Sequence, residues 1–315
     1  MSSPQERKAK QALAAGLACV SFAAILVRYC AAPALIIGFY RTAFASLLVG
    51  GVVLARLHRE PWDGALQKRL APFTLGAGLL LALHFATWIG SLQLTTVASS
   101  LVVMSTQPLW AALLGRIFLG DRVSLRGAVA MVVAMAGVGL IAWGDMGRGW
   151  AGLAGDGLAL VSGLAAAAYL TVGRGLRHGP PLPHYVLAVY GTCALTLGAA
   201  AVLAGQPLVG FDGRTWLMFA LMALFPSFFG HSLLNYAVRH LESYRVSLSI
   251  LVEPVVSTVL AALLFAEIPG LRFYFGAALV ACGVILALWQ TGEPVQKVGE
   301  TAQNSLTESA AAPPK

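Results

Sequence analysis

Residues 108–143 read PLWAALLGRIFLGDRVSLRGAVAMVVAMAGVGLIAW, and residues 254–289 read PVVSTVLAALLFAEIPGLRFYFGAALVACGVILALW. The two stretches align without a gap at a constant offset of 146 residues, and eight of the 36 positions are identical. The identical positions include Pro108/Pro254, Arg126/Arg272, Gly137/Gly283 and Trp143/Trp289. In an apolar chain, such an internal duplication predicts two related halves with a site where they meet.

The composition is that of a membrane protein. Only 11% of the residues are charged and 58% are hydrophobic, whereas a soluble domain carries about 25% charged residues. Residues 11–27 and 71–115 contain no charged side chain, and runs of about 17 to 25 apolar residues can cross a bilayer as helices. The net charge of +8 comes without a basic and aromatic surface, so a nucleic-acid partner is excluded.

Charged residues, Gly and Pro divide the chain into ten helical segments, which predicts an all-α membrane protein with ten transmembrane helices in two inverted five-helix repeats. The predicted spans are 11–27, 34–55, 71–91, 97–119, 127–143, 155–173, 184–204, 215–236, 246–265 and 273–290. Residues 1–10 form a basic cytoplasmic tail, 11–146 the first repeat, 147–290 the second repeat, and 291–315 a tail expected to be disordered.

The distribution of Lys and Arg predicts that both termini are cytoplasmic. With that orientation, sixteen Lys and Arg residues lie at cytoplasmic ends, and Arg28, Arg148, Arg214 and Arg272 lie outside. Each half has five predicted spans, which is an odd number, so the second half is expected to be inverted relative to the first. Inverted halves can exchange conformations and so expose one central cavity to either side of the membrane in turn.

Three segments resemble the EamA branch of the drug/metabolite transporter superfamily, over about residues 11 to 290. They are Gln107-Pro108 through Leu119-Gly120-Asp121, Glu253-Pro254 through Phe265-Ala266-Glu267, and Phe39-Tyr40-Arg41-Thr42. The resemblance implies a ten-helix, multi-pass carrier of the bacterial cytoplasmic (inner) membrane, often an exporter of amino acids or related metabolites. It also implies that no metal or organic cofactor is needed.

Gln107 and Glu253 are the most informative candidate site residues. They occupy equivalent positions in the two repeats, and each directly precedes a proline near the middle of a predicted span. Proline bends a helix, and interrupted helices at matching positions point to a central site. Glu253, with Ser249 one helical turn before it, is a candidate for binding a substrate amine or for exchanging protons. In the alternative interpretation, these polar groups only satisfy the backbone that the prolines free.

Other candidates lie on predicted spans 2, 3, 6 and 8. Arg41 could receive a substrate carboxylate, or it could extend to the lipid headgroups or pair with a carboxylate. His84 and Trp88 share one helical face, as do His231 and Asn235. Each face is expected to lie against the cavity or a neighbouring helix; in the alternative interpretation these side chains make interhelical hydrogen bonds. Tyr169 and Tyr40 complete the predicted site.

The predicted function is secondary transport of a small metabolite, with export as the expected direction and proton coupling through Glu253. The expected partners are a small-molecule substrate, membrane lipids and protons, and the chain is expected to be a monomer, with a dimer as the alternative. A lipid scramblase, a non-transporting receptor and an intramembrane enzyme are the competing functions. The sequence contains neither an HExxH metal motif nor a GxxxxGK[ST] nucleotide-binding loop, so direct use of ATP is not expected.

Overall fold

The regular secondary structure is entirely helical in the part of the chain that the computed structural model describes. These residues are 4–57, 64–95, 100, 103–142, 149–253, 255–256, 259–260, 263 and 270–289. The helices are α1 Pro4–Val20, α2 Ala23–Arg28, α3 Ala34–Arg56, α4 Gly64–Leu94, α5 Gln107–Leu119, α6 Leu125–Ala142, α7 Gly149–Gly175, α8 Leu182–Leu203, α9 Gly213–Met222, a π-helical segment Ala223–His231, α10 Ser232–His240, α11 Ser243–Ile250 and α12 Leu271–Leu288.

In the part of the chain that the structure describes, seven stretches of helix are long and apolar enough to cross a membrane. They are Pro4–Arg28, Ala34–Arg56, Lys68–Leu94, Gly152–Gly175, Leu182–Leu203, Gly213–His240 and Leu271–Leu288, and the apolar helix Leu125–Ile141 is shorter. These eight correspond to predicted spans 1, 2, 3, 5, 6, 7, 8 and 10. The predicted spans 97–119 and 246–265 lie partly outside the described residues, so the total of ten helices stays a prediction.

The predicted spans 97–119 and 246–265 are interrupted, as the two prolines predict. The chain turns at residues 105–106 and again at 251–252, which are equivalent positions of the two repeats. The same hydrogen bond marks both turns: the Thr106 amide donates to the Val103 carbonyl at 3.2 Å, and the Val252 amide donates to the Ser249 carbonyl at 3.1 Å. The helix therefore ends before the proline, and Gln107 and Glu253 each begin the segment that follows.

The first predicted span is also interrupted. α1 and α2 are separated at Ser21 and Phe22, and the Ser21 hydroxyl donates to the Leu17 carbonyl at 2.8 Å. By contrast, α9, the π-helical segment and α10 continue one another without a gap from Gly213 to His240. The start of α9 is fixed by Asp212, whose carboxylate accepts a hydrogen bond from the Thr215 amide at 2.9 Å. The hydrogen bonds from Thr215 lower the pKa of Asp212.

Helices α6 and α12 pack against each other through glycines. A Cβ atom added to Gly137 would lie 2.6 Å from the Gly276 carbonyl oxygen, and one added to Gly283 would lie 2.7 Å from the Ala130 carbonyl oxygen. Gly137, late in α6, contacts Gly276, early in α12, whereas Ala130, early in α6, contacts Gly283, late in α12. The two helices therefore run antiparallel. The offset of 146 converts the first contact into the second, as expected for a two-fold axis between the repeats.

A second pair of contacts follows the same rule in another part of the fold. The His84 ring nitrogen lies 2.8 Å from the Ser162 hydroxyl, and a Cβ atom on Gly16 would lie 3.1 Å from the Gly230 carbonyl oxygen. His84 is the repeat equivalent of Gly230, and Ser162 is the repeat equivalent of Gly16, so the two contacts are equivalent. The pseudo-two-fold relation thus extends from α6 and α12 to α1, α4, α7 and the π-helical segment.

Many large apolar side chains lie on the outside of the helix bundle. Examples with more than three-quarters of their surface exposed are Leu125, Leu195, Leu203, Leu263 and Trp289. An exposed apolar surface of this extent is unfavourable in water and suits contact with lipid. The helix lengths and this outer surface together show a multi-pass membrane protein.

The glycine contact between α6 and α12 leads to a stability prediction. Gly137→Ala would place a methyl group 2.6 Å from the Gly276 carbonyl oxygen and 2.8 Å from the Val280 nitrogen. Because backbone atoms cannot move aside cheaply, the variant is expected to lose about 1–3 kcal/mol of stability. Thermal unfolding of the detergent-solubilised protein should show a lower midpoint.

Gly139→Ala is the matched control, because nothing lies within 4 Å of the Cβ atom that it adds to the same helix. Its midpoint is expected to stay at or above that of the wild type, since Ala favours helix over Gly. Equal midpoints for the two variants would contradict the close approach of the helices.

Candidate functional site

A cavity lies between the two halves, with about 70 Å³ of space for the centres of water molecules. Fourteen of its seventeen lining residues form seven pairs separated by 146 residues, so the cavity lies on the pseudo-two-fold axis. The pairs are Val20/Ala166, Ala23/Tyr169, Phe85/His231, Trp88/Leu234, Met104/Ile250, Ser105/Leu251 and Gln107/Glu253. The members of one pair, Phe85 and His231, contact each other edge to face with ring centroids 5.3 Å apart.

The chemistry of the lining is much less symmetric than its positions. In three pairs the second half supplies the more polar side chain, namely Tyr169, His231 and Glu253. The first half supplies the indole of Trp88 opposite an aliphatic leucine. The remaining lining residues are Arg41, His84 and Leu170. Two halves with matching shapes therefore place different groups around one cavity.

Gln107 and Glu253 enter the cavity from the two interrupted helices. Gln107 is the first residue of α5 and is 97% buried. Its side-chain amide donates a hydrogen bond to the Ser247 hydroxyl of α11 at 3.3 Å, which joins the interrupted helices of the two halves. Glu253 follows the turn at residues 251–252 and also lines the cavity. The positive end of a helix dipole lies at such a starting residue, where it favours negative charge.

Arg41 is fully buried in the cavity wall. Its Nε donates to the Ser227 hydroxyl at 3.1 Å, and its guanidinium lies 4.1 Å from the centre of the Phe85 ring. Nη1 and Nη2 are buried and have no hydrogen-bond partner among the described residues. The interpretation in which Arg41 extends to the lipid headgroups is therefore wrong, and its charge remains inside the protein.

The π-helical segment supplies two residues of the site, Ser227 and His231. It contains Pro226, which cannot donate a backbone hydrogen bond, and it places Ser227 at Arg41 and His231 at the cavity. A second bond fixes this turn, because the Tyr190 hydroxyl donates to the Ser227 carbonyl at 2.8 Å. Wide π-helical turns are rare and occur frequently at functional sites.

His84 and Trp88 form one wall of the cavity. Their rings are nearly parallel, with an interplanar angle of 8° and centroids 6.3 Å apart. The His84 Nδ1 lies 2.8 Å from the Ser162 hydroxyl, which also donates to the His84 carbonyl at 3.2 Å. These bonds to α7 hold the histidine ring, and the stacked histidine in turn limits the orientations of the indole.

Asn235 does not line the cavity but holds a residue that does. Its amide nitrogen donates to the hydroxyl of Tyr169 and to the carbonyl of His231 at 2.9 Å. Both acceptors belong to residues of the cavity wall. Asn235 is therefore a positioning residue, which agrees with the alternative interpretation that its group makes interhelical hydrogen bonds.

The remaining two predicted site residues are elsewhere in the fold. Tyr40 stacks on Phe219 with ring centroids 4.8 Å apart, and its hydroxyl donates to the Leu208 carbonyl. Ser249 is buried within α11 and donates to the Arg245 carbonyl of the preceding turn at 2.8 Å. Seven predicted residues thus line the cavity: Glu253, Gln107, Arg41, His84, Trp88, His231 and Tyr169.

The sequence analysis missed Phe85, Ser105 and Ser247 as site residues. Phe85 contacts both Arg41 and His231, Ser105 lines the cavity, and Ser247 accepts the hydrogen bond of Gln107. A signal for Phe85 was present, because it is the repeat equivalent of His231. Among the described residues, no group of three or more His, Cys, Asp or Glu side chains is placed to hold a metal ion.

An ion pair between Asp121 and Arg174 connects the carboxyl-terminal ends of α5 and α7. Arg174 is 98% buried, and its Nε and Nη2 donate to the two carboxylate oxygens of Asp121 at 3.0 and 3.3 Å. The Arg174 Nη1 donates to the Leu241 carbonyl at 2.7 Å, in the connection between α10 and α11. A two-pronged pair of this kind is geometrically specific, and it joins the end of the first half's α5 to three helices of the second half.

Both halves of the chain match the same known protein family. The profile of the EamA-like transporter family matches residues 10–143 and again residues 153–289. The chain belongs to the EamA-like transporter family. The two matched ranges correspond to the two repeats.

Individual relatives of this EamA-like chain carry the names of transporters. It is 29% identical over 226 residues to an uncharacterized transporter of Archaeoglobus fulgidus, covering 69% of this chain and 76% of the relative. It is 22% identical over 266 residues to the uncharacterized transporter YxxF of Bacillus subtilis, covering 81% of each chain. A solved crystal structure shares the fold with a TM-score of 0.73 at 19% identity, over 90% of this chain and 97% of the other.

The position of the cavity leads to a prediction about water access. Ala166 lines the cavity, whereas the adjacent Ala167 is packed in the apolar core. In a background in which the four native cysteines are replaced by alanine, Ala166→Cys is expected to react with a small hydrophilic methanethiosulfonate reagent. Ala167→Cys is the control and is expected to stay unmodified, because its side chain has no exposed surface. Mass spectrometry measures both; modification of Ala167→Cys alone would contradict the described cavity.

Proposed function

We propose that this protein is a secondary transporter that moves an amino acid or related metabolite across the bacterial cytoplasmic membrane, with export as the direction. Alternating access is the proposed mechanism. The observation that carries the proposal is the cavity on the pseudo-two-fold axis, lined by seven pairs of equivalent residues from two halves. Because equivalent residues surround the cavity, the two halves can exchange conformations while the site stays in place.

Family membership and the relatives' names support transport itself. Counterflow in proteoliposomes is the direct test: vesicles loaded with an unlabelled amino acid mixture should transiently accumulate the external labelled amino acid. A carrier shows this exchange without an energy source, whereas an enzyme, a receptor or a scramblase does not. Absence of counterflow for amino acids would overturn the proposed substrate class.

The proposed orientation assigns the Asp121–Arg174 pair to the cytoplasmic end. Both residues, together with Leu241, follow spans that run from outside to inside when the amino terminus is cytoplasmic. We propose that, in this orientation, the ion pair and its bond to the Leu241 carbonyl hold the cytoplasmic end closed. Opening toward the cytoplasm then requires this pair to separate.

Asp121→Asn is expected to weaken that closure, because the neutral amide cannot accept two charge-assisted hydrogen bonds from Arg174. The measurement is the labelling rate of Leu170→Cys, a cavity position, by a membrane-impermeant thiol reagent added to inside-out vesicles. The rate should rise severalfold in the Asp121→Asn background.

Asp156→Asn is the matched control, since the carboxylate of Asp156 accepts from Thr95 at the other end of α7. Its labelling rate from the cytoplasmic side should equal that of the unmodified background. Equal rates for the two Asp→Asn variants would contradict closure by Asp121.

Proton coupling is proposed for Glu253. A carboxyl group in a cavity within the membrane can bind and release a proton as the cavity changes side. Glu253→Gln keeps the shape of the side chain and removes this capacity. The variant is expected to lose proton-driven accumulation of substrate while retaining counterflow, if binding itself does not need the charge.

Glu242→Gln provides the control for Glu253→Gln, because Glu242 pairs with Arg245 at 3.0 Å and does not line the described cavity. Substrate accumulation under an imposed pH gradient is compared for the wild type and both variants. Accumulation by Glu253→Gln at the wild-type level and with the wild-type dependence on pH would refute coupling through this residue.

A further inference from the structure

We infer that Arg41 binds a carboxylate group of the substrate and that this contact makes the transporter selective for carboxylates over their amides and esters. The inference rests on the proposed function and deepens it by naming the chemical group that the cavity recognises. It depends on the burial, the contacts and the unused hydrogen-bond donors of one side chain.

The guanidinium of Arg41 lacks partners that a buried charge normally has. The side chain has no exposed surface, and among the described residues only its Nε has a hydrogen-bond partner, the Ser227 hydroxyl. Nη1 and Nη2 are buried without an acceptor among the described residues. Within the described part of the chain, no carboxylate lies within 4.0 Å of it. Buried donors without partners are costly, and a ligand that supplies two acceptor oxygens would remove that cost.

The side chain is held in one orientation before any ligand arrives. Ser227 fixes Nε from the π-helical segment, and the Phe85 ring supports the guanidinium from one face at 4.1 Å. Phe85 is itself in contact with His231. A carboxylate binds the planar guanidinium through two parallel hydrogen bonds, and a donor that is already oriented loses less entropy on binding.

The charges of the cavity favour a ligand with separated charges. Among the described lining residues, Arg41 is the only lysine or arginine and Glu253 is the only carboxylate. They come from different halves and do not form a close ion pair. Arg41 can receive a carboxylate while Glu253 remains available for an amine or a proton. A simple amine would leave the donors of Arg41 unused, so it should bind poorly.

The experiment compares three ligand panels by their stabilisation of the purified protein in detergent, since a ligand that binds the folded state raises the unfolding midpoint. The panels are the free amino acids, the corresponding amino acid amides, and carboxylates without an amine, namely acetate, propionate and benzoate. The wild type is expected to be stabilised by the free acids and not by the amides. Equal stabilisation by acids and amides would overturn the inference.

Variants of Arg41 and Ser227 assign the selectivity to the guanidinium. Arg41→Gln should lose the preference for acids over amides. Arg41→Lys keeps the charge without the two-pronged geometry, and should bind acids at least about tenfold more weakly, as for a lost charge-assisted hydrogen bond. Ser227→Ala leaves Arg41 in place but removes its positioning partner, so it should weaken acid binding while keeping the acids preferred. It also provides a test if the Arg41 variants fail to fold.

Failure of the inference and failure of the proposed function give different results. If carboxylates stabilise the wild type but not Arg41→Gln, and amino acids show no counterflow, the inference stands and the proposed substrate class fails. If amino acids show counterflow and amides compete with them equally, transport stands and the inference fails. If Arg41 serves only as a counter-charge for Glu253, the Arg41→Gln/Glu253→Gln double variant should regain wild-type acid selectivity, and that result would also overturn the inference.

Discussion

The interruption of two helices at equivalent positions is the constraint on which the rest of the site depends. A backbone that leaves the helix within a membrane exposes amide and carbonyl groups that lipid cannot satisfy. Such a turn is therefore tolerated only against protein or water. The turns at residues 105–106 and 251–252 meet this condition at the cavity, whose lining includes Ser105 and Leu251. The interrupted helices thus turn where the cavity and the surrounding protein can satisfy their backbone groups.

The two-fold relation governs the positions around the cavity more strictly than it governs their chemistry. Phe85 and His231 are equivalent and in contact, yet one is apolar and the other has two polar ring nitrogens. Gln107 is bonded across to Ser247, whereas its equivalent Glu253 brings the only carboxylate of the described lining. In the proposed mechanism of alternating access, equivalent shapes would let the halves exchange conformations, and different side chains would allow one ligand to be bound in one orientation. A fully symmetric lining would offer two equal and opposed binding modes.

The sequence predicted most helices because long apolar runs report directly on the membrane. Pro108 and Pro254 correctly marked the interrupted regions, because a turn precedes each of them at residues 105–106 and 251–252. Pro108 lies in the first turn of α5, where a proline fits well. The residues around the cavity were harder to predict. Tyr40 and Trp88 are both aromatic residues on apolar helices, and only tertiary packing sends one to Phe219 and the other to the cavity.

The contacts of Arg41 could not be read from its own helix either. They come from Phe85 on α4 and from Ser227 on a π-helical turn, and local sequence patterns predict neither the partner nor the wider turn. Among the described residues, the protein supports the arginine on one face and at one nitrogen, which keeps the group in place and leaves Nη1 and Nη2 as unused donors. With the proposed substrate contact, a carboxylate would accept from these donors, so part of the binding free energy would come from satisfying buried groups of the protein rather than from the ligand alone.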